Sequence, residues 1–184
     1  MTALYRAGID SPVGRLTCIC DDVSIIRLLW VSDNESEAVE QLSRSLGPVR
    51  VSSANMVAET VCRELDAYFA GRLKAFSVPP SFLLGSPFSR RVWQAIFAVP
   101  YGQTVSYQRL AADSGVSGAR AVGNAVGRNP VPILVPCHRV LRKNGQLGGF
   151  SGGVQTKRLL LRLEGISFNE NKPKSFVKCG GNTV

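Results

Sequence analysis

The sequence predicts an α/β fold in two parts, a strand-and-helix first half joined to a mainly helical second half. Three observations carry this. Short β-rich runs bounded by turn residues fill residues 1–30, apolar residues recur at helical spacing over 35–46 and 54–70, and residues 86–128 read as helix, glycine turn, helix. A pattern whose period switches from two to 3.6 builds packed layers of different kinds.

Residues 5–9, 15–20 and 24–30 are the expected strands, parted by Ser11-Pro12-Val13-Gly14 and Asp21-Asp22. Both connections are turn material, and the paired aspartates read as a solvated hairpin rather than as a metal or acid pair. Ala38, Val39, Leu42 and Leu46 then share one helix face until Gly47-Pro48 stops it, and a second helix over 54–70 ends at Gly71. Residues 76–84, with Pro79-Pro80, make the connection onward. The expected units are 1–78, a linker over 79–85, a second domain over 86–168 and a loosely ordered basic tail over 169–184.

Ser86-Pro87 combines a capping hydroxyl with a proline suited to a first turn. Phe88, Val92, Trp93, Ile96 and Phe97 follow as one broad apolar face, which is core. Ser106 caps a short helix over 107–113, Ser114-Gly115-Val116-Ser117 turns the chain, and a helix over 118–128 completes a helix-turn-helix. On that second helix Arg120, Asn124 and Arg128 recur every four residues, opposite Val122, Ala125 and Val126. Gly123 and Gly127 each cost about 1 kcal/mol against alanine there. They either let the helix approach a groove closely or pack against a neighbouring helix.

The segment Asn129-Pro130-Val131-Pro132-Ile133-Leu134-Val135-Pro136 is too rich in proline for a central strand, and it delivers Cys137 beside His138, the single histidine of the chain. A thiol with its usual pKa of about 8.5 reacts only once a base or positive field makes it thiolate. Adjacent residues do not face one another on a regular element, so the expected proton path between them runs through a bridging water. Taken alone, the pair reads first as a buried sulfur and a turn imidazole, since neither residue type by itself signals chemistry. Gly145-Gln146-Leu147-Gly148-Gly149-Phe150-Ser151-Gly152-Gly153 lacks the Gly-Lys-Ser/Thr ending of a phosphate loop, so it reads as a pocket wall. A last helix over 154–164, with Leu159, Leu160 and Leu163 inward and Gly165 as its stop, leaves Glu164 opposed by the helix dipole.

Charge is divided unevenly: residues 1–80 carry 8 basic and 10 acidic side chains, net −2, whereas residues 81–184 carry 14 and 3, net +11. The second half is therefore the candidate nucleic-acid face. Five cysteines without a CxxC pair argue against a disulfide framework and for a reducing intracellular compartment, the cytoplasm or a nucleus. With one histidine, no zinc site or other metal is expected. Neither a membrane span nor a signal-peptide pattern is expected, Arg6 and Asp10 interrupting the amino terminus.

Pro136-Cys137-His138-Arg139-Val140, preceded by Asn129-Pro130 and followed by Gly149-Phe150-Ser151-Gly152-Gly153, resembles the O6-alkylguanine-DNA alkyltransferases, the methylated-DNA-protein-cysteine methyltransferases. The likeness runs from about Ser86 to Gly165 and is looser before it. It implies a ribonuclease-H-like amino-terminal α/β domain, a winged helix-turn-helix domain, and a monomer that works on duplex DNA without a cofactor. The implied reaction is transfer of an alkyl group from O6 of guanine to Cys137. A thioether has no good leaving group, so each molecule should react once.

Residue roles follow from the same likeness. Ala119-Arg120-Ala121-Val122-Gly123 matches the helix inserted in the minor groove, so Arg120 replaces the extruded base, with Asn124 and Arg128 on the same DNA-binding face. Tyr107 crowds the neighbouring phosphate and hydrogen-bonds the guanine. Val140 and Ser151 offer backbone hydrogen bonds, and Phe150 stands where many relatives have tyrosine, keeping the stacking but not the hydroxyl. Asn129 ties the helix to the cysteine segment, and Glu164 orients His138. Two rivals use the same residues: a module that binds alkylated bases without repairing them, and a cysteine hydrolase built on Cys137, His138 and Glu164.

Overall fold

The computed structural model describes residues 1–115 and 118–169, so Val116 and Ser117 of the expected turn, and the tail from 170 onward, lie outside it. The first half is a four-stranded sheet in the order β3-β2-β1-β4. β1 (Thr2–Ser11) and β2 (Gly14–Cys20) form an antiparallel hairpin closed at Ser11 and Gly14, where φ is +95° and glycine is needed. β3 (Ile25–Trp30) pairs antiparallel with β2.

β4 (Val49–Ser52), directly after Gly47-Pro48, pairs parallel with β1 and is an element the sequence pattern did not announce. Four residues are too few for alternation to stand out.

The expected first helix forms as α1 (Glu35–Leu46), capped by Asn34, and the second as α2 (Met56–Phe69), capped by Asn55. α1 packs Ala38 and Leu42 against Leu4, Ile19, Ile26 and Leu29 on one face of the sheet. Ala58, Val61, Leu65 and Tyr68 of α2 join Leu16, Cys18, Cys20 and Leu28 in the larger core on the other. Both faces are covered, which is why β2 and β3 read as near-continuous apolar runs.

The outer edge of β3 is not left open. Ile25 N–H donates to Pro79 O at 3.1 Å and Ser81 N–H to Ile25 O at 2.8 Å, while Leu28 N–H donates to Pro130 O at 2.9 Å. The connecting segment and the cysteine segment therefore both dock on that edge, removing a pairing hazard and joining the halves.

In the second half α3 (Pro87–Phe97) starts at the Ser86 cap and buries Val92, Trp93 and Ile96. Phe97 departs from the expected core face: it is 46% exposed, its ring edge-on to Phe82 with centroids 6.2 Å apart. β5 (Val105–Ser106) leads into α4 (Tyr107–Asp113), whose cap Ser106 accepts from Arg109 N–H at 3.1 Å. α5 (Ala119–Gly127) is pinned to α3 by the Trp93 indole, which donates to Ala125 O at 2.8 Å. After a single 3₁₀ turn (Cys137–Arg139), β6 (Val140–Leu141) pairs parallel with β5.

α6 (Val154–Leu163) buries Lys157, Leu160 and Leu161, with Leu159 and Leu163 only partly covered, so the inward stripe sits one position from the expected one. Asn169, expected to open the loose tail, is held by its N–H to Gly145 O at 3.0 Å. Among the described residues no helix is long and apolar enough to cross a membrane.

Candidate active site

Every residue from 129 to 141 is buried. Prolines stiffen this segment and Asn129 holds it bent: its amide donates to Val135 O at 2.7 Å while its side-chain oxygen accepts from Val131 N–H at 3.1 Å. At the bend Ile133 has φ +73°, the one non-glycine with positive φ among the described residues. A β-branched residue there stores on the order of 1–3 kcal/mol of strain. The segment ends by placing Cys137, 2% exposed, at a cavity of about 1090 Å³.

Behind the thiol lies a dense polar network. His138 Nε2 meets Glu164 Oε1 at 2.7 Å, and His138 is fully buried with Nδ1 unpartnered. No direct Cys137 to His138 bond forms, as i and i+1 geometry requires. Glu164 caps the carboxy-terminal end of α6, where Arg139 grips it through Nε at 2.8 Å and Nη2 at 2.9 Å. Tyr68 adds its hydroxyl at 2.7 Å and Gly102 its N–H at 3.3 Å. Five donors answer the adverse helix dipole.

The titration behaviour follows from burial and these partners. Burial pushes the Cys137 thiol up to about 11, against the opposing pull of the Asn129 amide and the Lys157 ammonium. Burial pushes His138 below its usual value, with Glu164 acting the other way. Burial alone would raise Glu164, but the hydrogen bonds from His138 and Arg139 outweigh it and hold the carboxyl at about 2. Near neutrality the site therefore rests as thiol, neutral imidazole and carboxylate: a protonated nucleophile with a base ready behind it.

The cavity brings together most of the expected residues. Tyr107, Arg120, Asn124, Phe150 and Ser151 line it with Cys137. A side chain at Gly127 would meet nothing within 4 Å, and one at Gly123 would reach only the Tyr107 ring at 4.0 Å. Both glycines line the cavity, and the one neighbour within that reach is the Tyr107 ring of α4. Phe150 is held edge-on to Trp30 of β3, centroids 5.7 Å apart.

Two expected residues lie elsewhere. Arg128 caps the end of α5 and lines a second cleft of about 430 Å³ with Arg27, Trp30 and Asp33, because the helix ends one residue before it. Val140 is outside the cavity lining, fully buried, with its carbonyl accepting from Lys157 Nζ at 2.6 Å.

Several functional neighbours were not found by sequence reasoning. Lys157 is wholly buried and donates also to Leu147 O at 2.6 Å, tying the glycine-rich wall to the cysteine turn. Burial lowers its ammonium to about 8. Its signal was present: position 157 falls on the inward stripe 157, 160, 161, 164, where a lysine is out of place. Arg142 and Lys143, on the cavity rim, had a signal in the basic run after the cysteine, whereas Arg139 could be read beforehand as a positive group beside the thiol. Tyr68 gave no signal, since its partner is 96 positions away.

Fold and cavity together define a helix-turn-helix protein whose reading helix borders a cavity that holds a buried thiol. Known proteins share this architecture throughout. Residues 87–166 match the family described as 6-O-methylguanine DNA methyltransferase, DNA binding domain, and residues 4–82 match its ribonuclease-like domain. A methylated-DNA–protein-cysteine methyltransferase of Salmonella typhimurium is 43% identical over 171 residues, 90% of this chain and 98% of the relative. One from Mycobacterium bovis is 51% identical over 161 residues, 87% and 91%. The crystal structure of Mycobacterium tuberculosis OGT in complex with DNA superposes with TM-score 0.74 at 36% identity, covering 89% of this chain and 92% of that one. The chain belongs to the 6-O-methylguanine DNA methyltransferase family.

Proposed function

We propose that this protein repairs DNA by moving an alkyl group from O6 of guanine to Cys137 Sγ, irreversibly and once per molecule. The observation that carries the reading is Cys137 itself: a thiol set at the edge of a cavity with ample room for a purine, with an imidazole next to it in the chain and a carboxylate bonded to that imidazole. The relatives' name describes the same reaction.

Chemistry on a base edge is blocked inside a duplex, so the nucleotide must first be swung out, at a cost of a few kcal/mol of unstacking. Arg120, exposed on α5, fills the gap in the stack, while Asn124, Arg128 and the cavity-rim residues Arg142 and Lys143 engage the DNA. The guanine enters between Tyr107 and the wall formed by Phe150 and Ser151.

Glu164 fixes the His138 ring, and a water at the unpartnered Nδ1 carries the thiol proton to it. Sulfur forms a bond to the alkyl carbon as that carbon's bond to O6 breaks; the bond's electron pair leaves on the guanine, which Tyr107 hydrogen-bonds and which gains one proton from solvent as His138 gives up the one it took from the thiol. The linker at 79–85, which overlaps the end of the first family match at 82 and stops before the second begins at 87, divides supporting and reacting domains. A reducing compartment, the cytoplasm or a nucleus, suits a thiol that must stay unoxidised.

Intact-mass measurement after mixing with methylated duplex tests this. One methyl per molecule, on the peptide holding Cys137, is expected. A mass gain that survives in Cys137→Ala, or multiple turnover on an ester, refutes it.

A further inference from the structure

We infer that Tyr68, on α2 of the first half, is a positioning residue that tunes the basicity of His138 by competing with it for one oxygen of Glu164. The inference rests on the proton path proposed above, and it concerns how strong a base that path contains.

Glu164 Oε1 accepts three hydrogen bonds: from His138 Nε2 at 2.7 Å, Tyr68 OH at 2.7 Å and Arg139 Nη2 at 2.9 Å. An oxygen with two lone-pair directions divides its charge among three donors, so each bond is weaker than it would be alone. The Tyr68 hydroxyl has nowhere else to go. Its ring is 1% exposed and packed by Phe69, Phe76 and Tyr101, with centroids 5.5, 5.6 and 6.3 Å away. Burial, reinforced by the neighbouring Glu164, pushes the phenol well above its ordinary value, so it stays a neutral donor.

The groups facing His138 set the sign. From α6 and its end come Glu164, which favours the imidazolium, and Lys157, which opposes it. Arg139, next in the chain, opposes it too, and burial opposes it most. Cys137 precedes it, and from α2 comes Tyr68, through Oε1. Deleting the Tyr68 hydroxyl returns that oxygen's charge to His138, favours the imidazolium and raises the histidine pKa. A base must be neutral to act, so the acid limb of alkyl transfer moves to higher pH. The native hydroxyl keeps the base available at lower pH.

The single histidine makes the test direct, because its imidazole NMR signals need no assignment among others. The titration of His138 and the pH profile of methyl transfer from methylated duplex are measured in wild type and Tyr68→Phe. Both midpoints should rise by about half a pH unit, part of one charge-assisted hydrogen bond. The ratio of variant to wild-type rate should then fall about threefold from the alkaline plateau to the acid limb. An unmoved imidazole titration overturns the inference, and so does a rate loss that is the same at every pH, which is what loosened packing alone would give. An undiminished rate in His138→Ala overturns instead the proton path on which it rests.

Discussion

The outer face of α5 and the segment that follows it are neighbours in sequence and opposites in setting. Arg120, Asn124 and Arg128 stand exposed, whereas all of residues 129–141 are buried. The residues proposed to meet DNA thus sit in water and do little for the fold, whereas those proposed to carry the chemistry are also part of the core. Changes on the first surface should separate activity from stability, and changes in the second segment should not.

The sharpest break comes at the carboxylate. Glu164→Ala leaves the buried His138 and Arg139 without their shared partner, and uncompensated buried charge costs about 3–5 kcal/mol. Calorimetry should show the unfolding midpoint lower by roughly 10 °C, with methyl transfer collapsing alongside. A normal midpoint would detach the chemistry from the core.

Acid gives the same contrast without a mutation. The folded carboxyl is held near 2 against an ordinary 4.5, so its stabilisation is fully present above about 4.5 and is lost as pH falls toward 2. Acid unfolding of Glu164→Gln should lack that dependence over this window.

Lys157→Met comes next. It strands the carbonyls of Val140 and Leu147 and should cost about 2 kcal/mol in urea unfolding, while slowing Cys137 alkylation. Arg120→Ala is the smallest in stability, within about 0.5 kcal/mol, yet it should lose far more activity on methylated duplex than on a free benzylated base. Equal losses on the two substrates would remove Arg120 from the base-extrusion step.

What the sequence made legible divides along similar lines. Elements with local signals could be read: the caps at Ser86 and Ser106, the helix over 35–46 and the apolar face of α5 each depend on residues within a turn or two. Pairing over long range could not. Periodicity says that a side chain turns inward, but not what it meets, so Tyr68 passed for core although its hydroxyl reaches Glu164. Lys157 is hidden because lysine is ordinarily solvated. β4 escaped because a four-residue parallel strand exists only by virtue of β1 beside it.

The positive φ of Ile133 bears on which lesions the protein can accept. A backbone already bent into an unfavoured shape and latched at both ends by Asn129 has no slack to move aside for a bulkier adduct. Across the cavity stand the glycines around Phe150, a wall that the buried Lys157 ties to the cysteine turn through Leu147 O and Val140 O. The cavity is thus bounded on the sulfur's side by a proline-stiffened, twice-latched backbone and on the other by a wall built from glycine.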